Sequence, residues 1–191
     1  KMPASFNGVI NPLAWALNCR PSPSIGYFFQ VSDCWTEWHR SLKRQARRES
    51  DRHWRVFQSY PHPKEERITD IERALHVFSQ LEAMQSARLG SRCNYLLDHP
   101  SYKDFYRYRL VNGLKDGSVV LTALSSADQI VAAAFGARKD QTLTLLRVAF
   151  AGDQWKACAP GRLIMERTAR MMWEDGCRTF DLSIGSYAHK S

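Results

Sequence analysis

The sequence predicts an α+β fold: a mixed, mostly antiparallel sheet with one parallel strand–helix–strand unit in its C-terminal part and helices on both faces. Three observations lead there. Residues 142–183 carry a strand, a loop, a helix and a second strand in succession; two apolar runs before them are separated by short polar turns; and two segments with helical spacing come earlier still. Strands joined by a helical crossover run parallel, whereas runs joined by a few turn residues pair antiparallel.

The crossover unit opens with Thr142-Leu-Thr-Leu-Leu-Arg-Val-Ala-Phe150, a strand, followed by a polar-aromatic loop over 151–159. Pro160 suits the first helical position, where an N–H would have no partner anyway. Leu163, Ile164, Arg167, Met171 and Met172 then recur at roughly helical spacing, and Asp175-Gly176 closes the helix where a left-handed residue is wanted. Arg178-Thr-Phe-Asp-Leu-Ser183 is the second strand. Upstream, Ser118-Val-Val-Leu-Thr-Ala-Leu124 and Ile130-Val-Ala-Ala-Ala-Phe-Gly-Ala137, with turns at 125–129 and 138–141, complete a three-stranded meander.

Earlier in the chain, Ile68, Ile71, Leu75, Phe78, Leu81 and Met84 mark a helix with a Thr69-x-x-Glu72 capping box and a stop at Gly90. A second helix covers 102–114, with Phe105, Tyr106, Arg109 and Leu110 on one side. Trp54-Arg-Val-Phe-Gln58 alternates and is bounded by Tyr60-Pro-His-Pro63, so it reads as the first strand of the domain.

A parallel crossover places its helix N-terminus at the mouth of the sheet, with free N–H groups and the positive end of the helix dipole. Ala159 and Gly161 are small enough to let an anion approach the backbone, and Lys156 and Arg162 add charge, so a phosphate site is expected here. The plainer reading of the same residues is an ordinary crossover with nothing bound.

The order of elements, with these loop residues, resembles the GNAT acyltransferase superfamily. Within it the likeness is to the CelD-like group, named for cellulose-biosynthesis acetyltransferases, and to one half of the tandem Fem-type peptidyl transferases. Lys156-Ala-Cys-Ala159-Pro-Gly161 occupies the pattern Arg/Gln-x-x-Gly-x-Gly/Ala, and Ala159-Pro160-Gly161-Arg162-Leu163-Ile164 is similar to the group's Ser-Pro-Gly-x-Leu-Leu. Gly176-Cys-Arg-Thr-Phe180-Asp181-Leu182 resembles Gly-x-x-x-Phe-Asp-Phe. Gly185-Ser-Tyr-Ala-His189-Lys190 resembles Gly-x-x-x-Tyr-Lys with His189 for the tyrosine. Leu81-Glu-Ala-Met-Gln-Ser-Ala-Arg88 is similar to a helix that ends in arginine. The likeness covers about residues 35–191.

The resemblance implies an N-acyltransferase that moves an acetyl or longer acyl group from acetyl-CoA or another acyl-CoA to an amine on a small molecule, saccharide or peptide, with a link to exopolysaccharide or cell-envelope synthesis. It implies that the backbone of Arg147, Val148, Ala149 and Phe150 pairs with the pantetheine arm, and that Lys156, Ala159, Gly161, Arg162 and Leu163 hold the pyrophosphate. His189 and Lys190 stand where a general acid or substrate-carboxylate contact is expected, and Asp181 could be a substrate contact or base. Two other readings remain: Fem-type transfer of an aminoacyl group from charged tRNA, and a non-catalytic GNAT-like binding module, suggested by Ala159 and His189 where the patterns have Gly and Tyr.

Composition bounds these readings. The 191 residues can bury one good core. No run of about eighteen apolar residues and no signal peptide is visible. Five scattered cysteines, an odd number without a C-x-x-C pair, suit neither a disulfide scaffold nor a thiolate metal site and point to reduced thiols in a cytoplasm. Cys158 in the loop reads as a small filler rather than a nucleophile. The net charge of +8 owes much to Arg40, Lys43, Arg44, Arg47, Arg48, Arg52 and Arg55, on a helix begun by Trp35-Thr-Glu-Trp38. Nucleic acid is one partner for that helix, but no aromatic residues interleave with the charges, so a solvated linker helix is preferred. The expected organisation is an irregular remnant of a preceding GNAT-like half over 1–30, a basic linker helix over 31–53 and a GNAT-like domain over 54–191. Pairing with a second GNAT-like half follows from that division.

Overall fold

The computed structural model of the chain describes residues 5–6, 9–10, 26–89 and 100–184. Strands β1 (Ser5–Phe6) and β2 (Val9–Ile10) form a small antiparallel ladder. The main sheet comprises β3 (Gly26–Gln30), β4 (Pro63–Arg67), β5 (Val119–Ser126), β6 (Gln129–Lys139), β7 (Thr142–Phe150) and β8 (Thr179–Ile184), in the spatial order β3-β8-β7-β6-β5-β4. All neighbours pair antiparallel except β7 and β8, which are parallel. The mixed sheet, its single parallel pair and the helices on both faces are as the sequence predicts.

Helices α3 (Ile71–Leu89) and α4 (Pro100–Asp116) cover one face, burying Phe78, Leu81 and Leu110 against Leu121 and Phe135. Helix α5 (Pro160–Glu174), with α1 (Trp35–Ser41) and α2 (Arg44–Gln58), covers the other, where Leu163, Ile164, Met172 and Phe57 meet Leu124, Leu143 and Phe180. Covered on both sides, β5 is buried at every residue, which is why its sequence is a continuous apolar run rather than an alternating one. None of the described helices is long and apolar enough to cross a membrane.

Two local expectations are corrected. The stretch Trp54-Arg-Val-Phe-Gln58 is not a strand but the last turns of α2, whose buried residues Ser50, His53 and Phe57 fall at intervals of three and four. The first strand after α2 is instead β4, Pro-Lys-Glu-Glu-Arg, an edge strand paired with β5 from Pro63↔Ser126 to Arg67↔Thr122. Its charges hide it from a hydrophobic pattern but have partners: Glu65 takes two hydrogen bonds from Arg167 and Glu66 one from Arg73. The cap of α3 is also one residue on from Thr69, with Asp70 Oδ1 accepting the Arg73 N–H at 2.8 Å.

The basic segment is two helices, broken where Leu42 and Lys43 adopt extended backbone. Trp35 and Trp38 anchor α1, their rings 4.7 Å apart, with Trp38 stacked on Phe29 of β3 at 5.2 Å. Strand β3 therefore shares the sheet and core of the later chain, and α2 runs through residues 53 and 54 without a break.

Candidate active site

Strands β7 and β8 stay paired for only three positions, Thr142↔Thr179, Leu143↔Phe180 and Thr144↔Asp181. Beyond them each strand is bent by its own residues. On β7 a bulge at Leu146 lets Gly136 oppose Leu145 while Phe135 opposes Arg147. On β8, Ser183 takes a left-handed conformation (φ 60°), its N–H held by Asp181 Oδ1 at 2.7 Å, and its hydroxyl donates to the Leu145 carbonyl at 2.6 Å. That side-chain bond ties β8 to β7 just beyond the last ladder pair.

The bulge also exchanges the two faces of β7. Leu143 and Leu145 enter the core under α5, whereas Ala149 enters the core under α3 and Arg147 bonds to Gln85 of α3. Backbone direction matters as much. The Ala151 N–H bonds to Val131 of β6 at 2.8 Å, and ladder groups alternate along a strand, so Ala149 also faces β6 while Val148 and Phe150 turn theirs toward the opening left by β8. The Val148 carbonyl meets a side chain there, the Gln85 Nε2 at 3.4 Å.

A 3-10 helix (Asp153–Cys158) continues from β7, pinned by the buried Trp155, whose ring meets that of Tyr60 at 4.6 Å. Ala159 then adopts a left-handed conformation (φ 44°, ψ 59°), and its carbonyl accepts the amides of both Arg162 and Leu163 at 3.0 Å. Pro160 has no N–H, no side chain caps the helix, and among the described residues nothing accepts the Gly161 amide. This is the positive end of a fifteen-residue helix with one backbone donor left over. Lys156 is exposed beside it, and the Arg162 guanidinium bonds to Glu49 of α2 at 2.8 Å. Leu163 is buried in the core under α5.

These groups line one cleft of about 1330 Å³ that runs from Leu145 and Ser183 along β7 to Lys156 and Gly161. Its far walls are Gln85 and Arg88 of α3 and His53 of α2, none of which sequence reasoning assigned to a site. Arg88 lies over the Phe150 ring at 4.7 Å. Burial is the main cause holding the His53 pKa below its usual value, with Arg52 and Arg162 adding to it and Glu49 and Glu166 opposing. The advance signal for Gln85 and His53 was their polarity at positions of α3 and α2 that otherwise face the core, and for the exposed Arg88 it was the likeness of 81–88 to a helix that ends in arginine.

Of the expected catalytic residues, Asp181 stands where the strands part, with one oxygen engaged by Ser183, while His189 and Lys190 lie outside the described residues. Cys158 is buried with its Sγ on the Trp155 carbonyl at 3.1 Å, and desolvation pushes its thiol up, the environment of a filler. Glu166 accepts a hydrogen bond from Ser50 of α2, and its neighbour Arg167 donates to Glu65 of β4.

The sequence that builds this sheet and helix N-terminus also matches a family model. The acetyltransferase (GNAT) domain covers residues 39–191. The chain belongs to the GNAT acetyltransferase family. Among curated proteins none matches the sequence. Solved structures share the fold: FemX, at 12% identity and TM-score 0.60, over 87% of this chain and 55% of that one. A conserved protein of unknown function from Bacteroides thetaiotaomicron VPI-5482 matches at 15% identity and TM-score 0.50, over 83% and 49%. The C-terminal domain of a putative lysylphosphatidylglycerol synthetase from Agrobacterium fabrum matches at 11% and 0.50, over 84% and 46%. The chain thus spans about half the length of each.

Proposed function

We propose that this GNAT domain is an N-acyltransferase that uses acetyl-CoA or another acyl-CoA and delivers the acyl group to an amine on a small molecule, saccharide or peptide. The CelD-like motifs favour an acceptor in exopolysaccharide or cell-envelope synthesis. One observation carries the reading: the open edge of β7 at Val148 and Phe150 leads directly to the unpaired Gly161 amide beside Lys156. An extended chain of amides ending in a pyrophosphate fits that sequence of donors and acceptors.

Bound acyl-CoA supplies an activated thioester, so the protein's task is to place it and the amine together. The edge groups of Val148 and Phe150 bind the pantetheine amides as an added strand. The Gly161 N–H, with the helix dipole, binds the pyrophosphate, and Lys156 neutralises it. Ala159 supplies the turn that frees the Gly161 amide, and Leu163 anchors the first turn in the core. Arg162, held by Glu49, adds charge at the rim. Asp181, at the parting of the strands, contacts the acceptor or takes its proton, and His189 and Lys190 supply a general acid or a contact to an acceptor carboxylate.

A second reading has its own observation. Arg44, Arg48 and Arg52 fall at intervals of four on the exposed side of α2, with Gln45 and Glu49 between them, a basic row suited to a polyanion such as the tRNA of a Fem-type transferase. Calorimetric titration with CoA and acetyl-CoA separates the two. The acyl-CoA reading expects one site, weakened about tenfold or more by Lys156→Glu through loss and reversal of a phosphate contact. No heat with either ligand, together with gel-shift retention of charged tRNA that Arg48→Glu abolishes, would establish the second.

A further inference from the structure

Helix α3 presents Glu82, Gln85 and Arg88 along one line toward β7, and the middle residue is fixed from behind. Arg147, 5 % exposed, donates from Nε at 2.8 Å and from a terminal nitrogen at 2.5 Å to the single oxygen Gln85 Oε1. The guanidinium is itself clamped, its centre 5.0 Å from the rings of both Phe78 and Tyr106 and its other terminal nitrogen 3.5 Å from Glu82.

An arginine only donates, so the Gln85 oxygen must face it and the NH2 group must face the other way. That way lies the Val148 carbonyl, 3.4 Å from Nε2, at the far limit of a hydrogen bond and on the open edge of β7. One N–H of the amide makes this weak contact, and Gln85 lines the cleft. A buried side chain has been oriented by a buried cation so that a neutral donor stands at the first open rung beyond the Leu146 bulge.

We propose that Gln85 is the side-chain donor that recognises the acyl carbonyl oxygen of the ligand in this cleft, with Arg147 as its positioning residue. The inference rests on the acyl-CoA reading and deepens it. When a ligand amide takes the Val148 carbonyl, the Gln85 NH2 is released from a poor bond and turns to the neighbouring carbonyl oxygen at little cost. Gln85 neither gives nor receives a proton, and no bond forms or breaks at it. Its contribution is discrimination: CoA, which lacks the carbonyl, gains nothing from it.

The test is calorimetry on the whole chain with two probes, CoA and acetyl-CoA, for the wild type, Gln85→Glu and Arg147→Lys. Gln85→Glu keeps an acceptor for Arg147 and removes the donor, and its melting curve verifies folding. The ratio of acetyl-CoA to CoA affinity is expected to fall about 3- to 10-fold in Gln85→Glu, the worth of one neutral hydrogen bond, and by less in Arg147→Lys, where the amide can turn over. In the folded wild type, the side-chain amide resonance of Gln85 should move with both probes, as the shared pantetheine arm takes the Val148 carbonyl, and should come to a different position with acetyl-CoA than with CoA. Equal loss of affinity for both probes, or the same resonance position in the two complexes, overturns the role of Gln85 while leaving the acyl-CoA reading intact. Absence of binding by either probe to the wild type overturns both.

Discussion

The ring of Phe150 lies on the backbone of Gly161 so closely that a β-carbon at residue 161 would stand 2.6 Å from two of its ring carbons. The last residue of β7 is thereby locked to the first turn of α5, which holds the open strand edge and the helix N-terminus in one fixed relation. The glycine of the Pro160-Gly161 pair is required by this packing, independently of any ligand.

Gly161→Ala should therefore push the Phe150 ring away from α5 and against Arg88. The expected cost is about 1–3 kcal/mol of overpacking, a fall of some 2–12 °C in melting temperature for a chain of this size. Adding Phe150→Leu should return part of that loss, because the smaller side chain vacates the contact. A double variant whose destabilisation equals the sum of the two singles would show that the contact is not the cause.

Ala159 has the opposite problem. Its left-handed backbone is one that a β-carbon disfavours, so Ala159→Gly should raise stability by about 0.5–1 kcal/mol, seen as a small rise in melting temperature. A drop on this substitution would mean that the strain is absent and that the lost chain entropy dominates.

His53 makes stability pH-dependent in a definite direction. Its pKa in the folded chain is depressed, chiefly by burial, so above about pH 6.5 the imidazole is neutral in both states and makes no difference to stability. As the pH falls below that value the unfolded chain binds the proton first, and stability declines until the folded-state pKa is passed. Denaturant midpoints for the wild type and His53→Gln, measured from pH 7.5 to 5, should diverge on the acid side, with the variant losing less. Parallel curves would contradict the assignment.

Much of this was readable in the residues, and the failures have physical causes. The crossover unit was legible because Pro160 starts α5, Gly176 ends it with φ 93°, and β7 has the length of an isolated apolar run. Trp54 to Gln58 misleads because five residues are too few to tell a period of two from one of 3.6, and the deciding residues, Ser50 and His53, are polar. Strand β4 carries four charges: Lys64 and Glu66 pair with each other and Glu66 also with Arg73, whereas Glu65 and Arg67 find their partners, Arg167 and Asp175, more than a hundred residues along the chain. The bulge at Leu146 leaves as its trace two adjacent leucines and then an arginine at what strict alternation makes a core position under α5. Gln85 could not be placed from sequence, since its partner Arg147 is 62 residues away and reaches it only because that bulge turns the strand over.

Amide hydrogen exchange with and without saturating CoA is the most direct test of the central claim, because it reads the groups proposed to bind. The account predicts slowed exchange in peptides covering residues 147–163, where the edge amides of Val148 and Phe150 and the Gly161 amide gain acceptors. Exchange unchanged there, or protection confined to residues 44–58 of the basic helix, would contradict it.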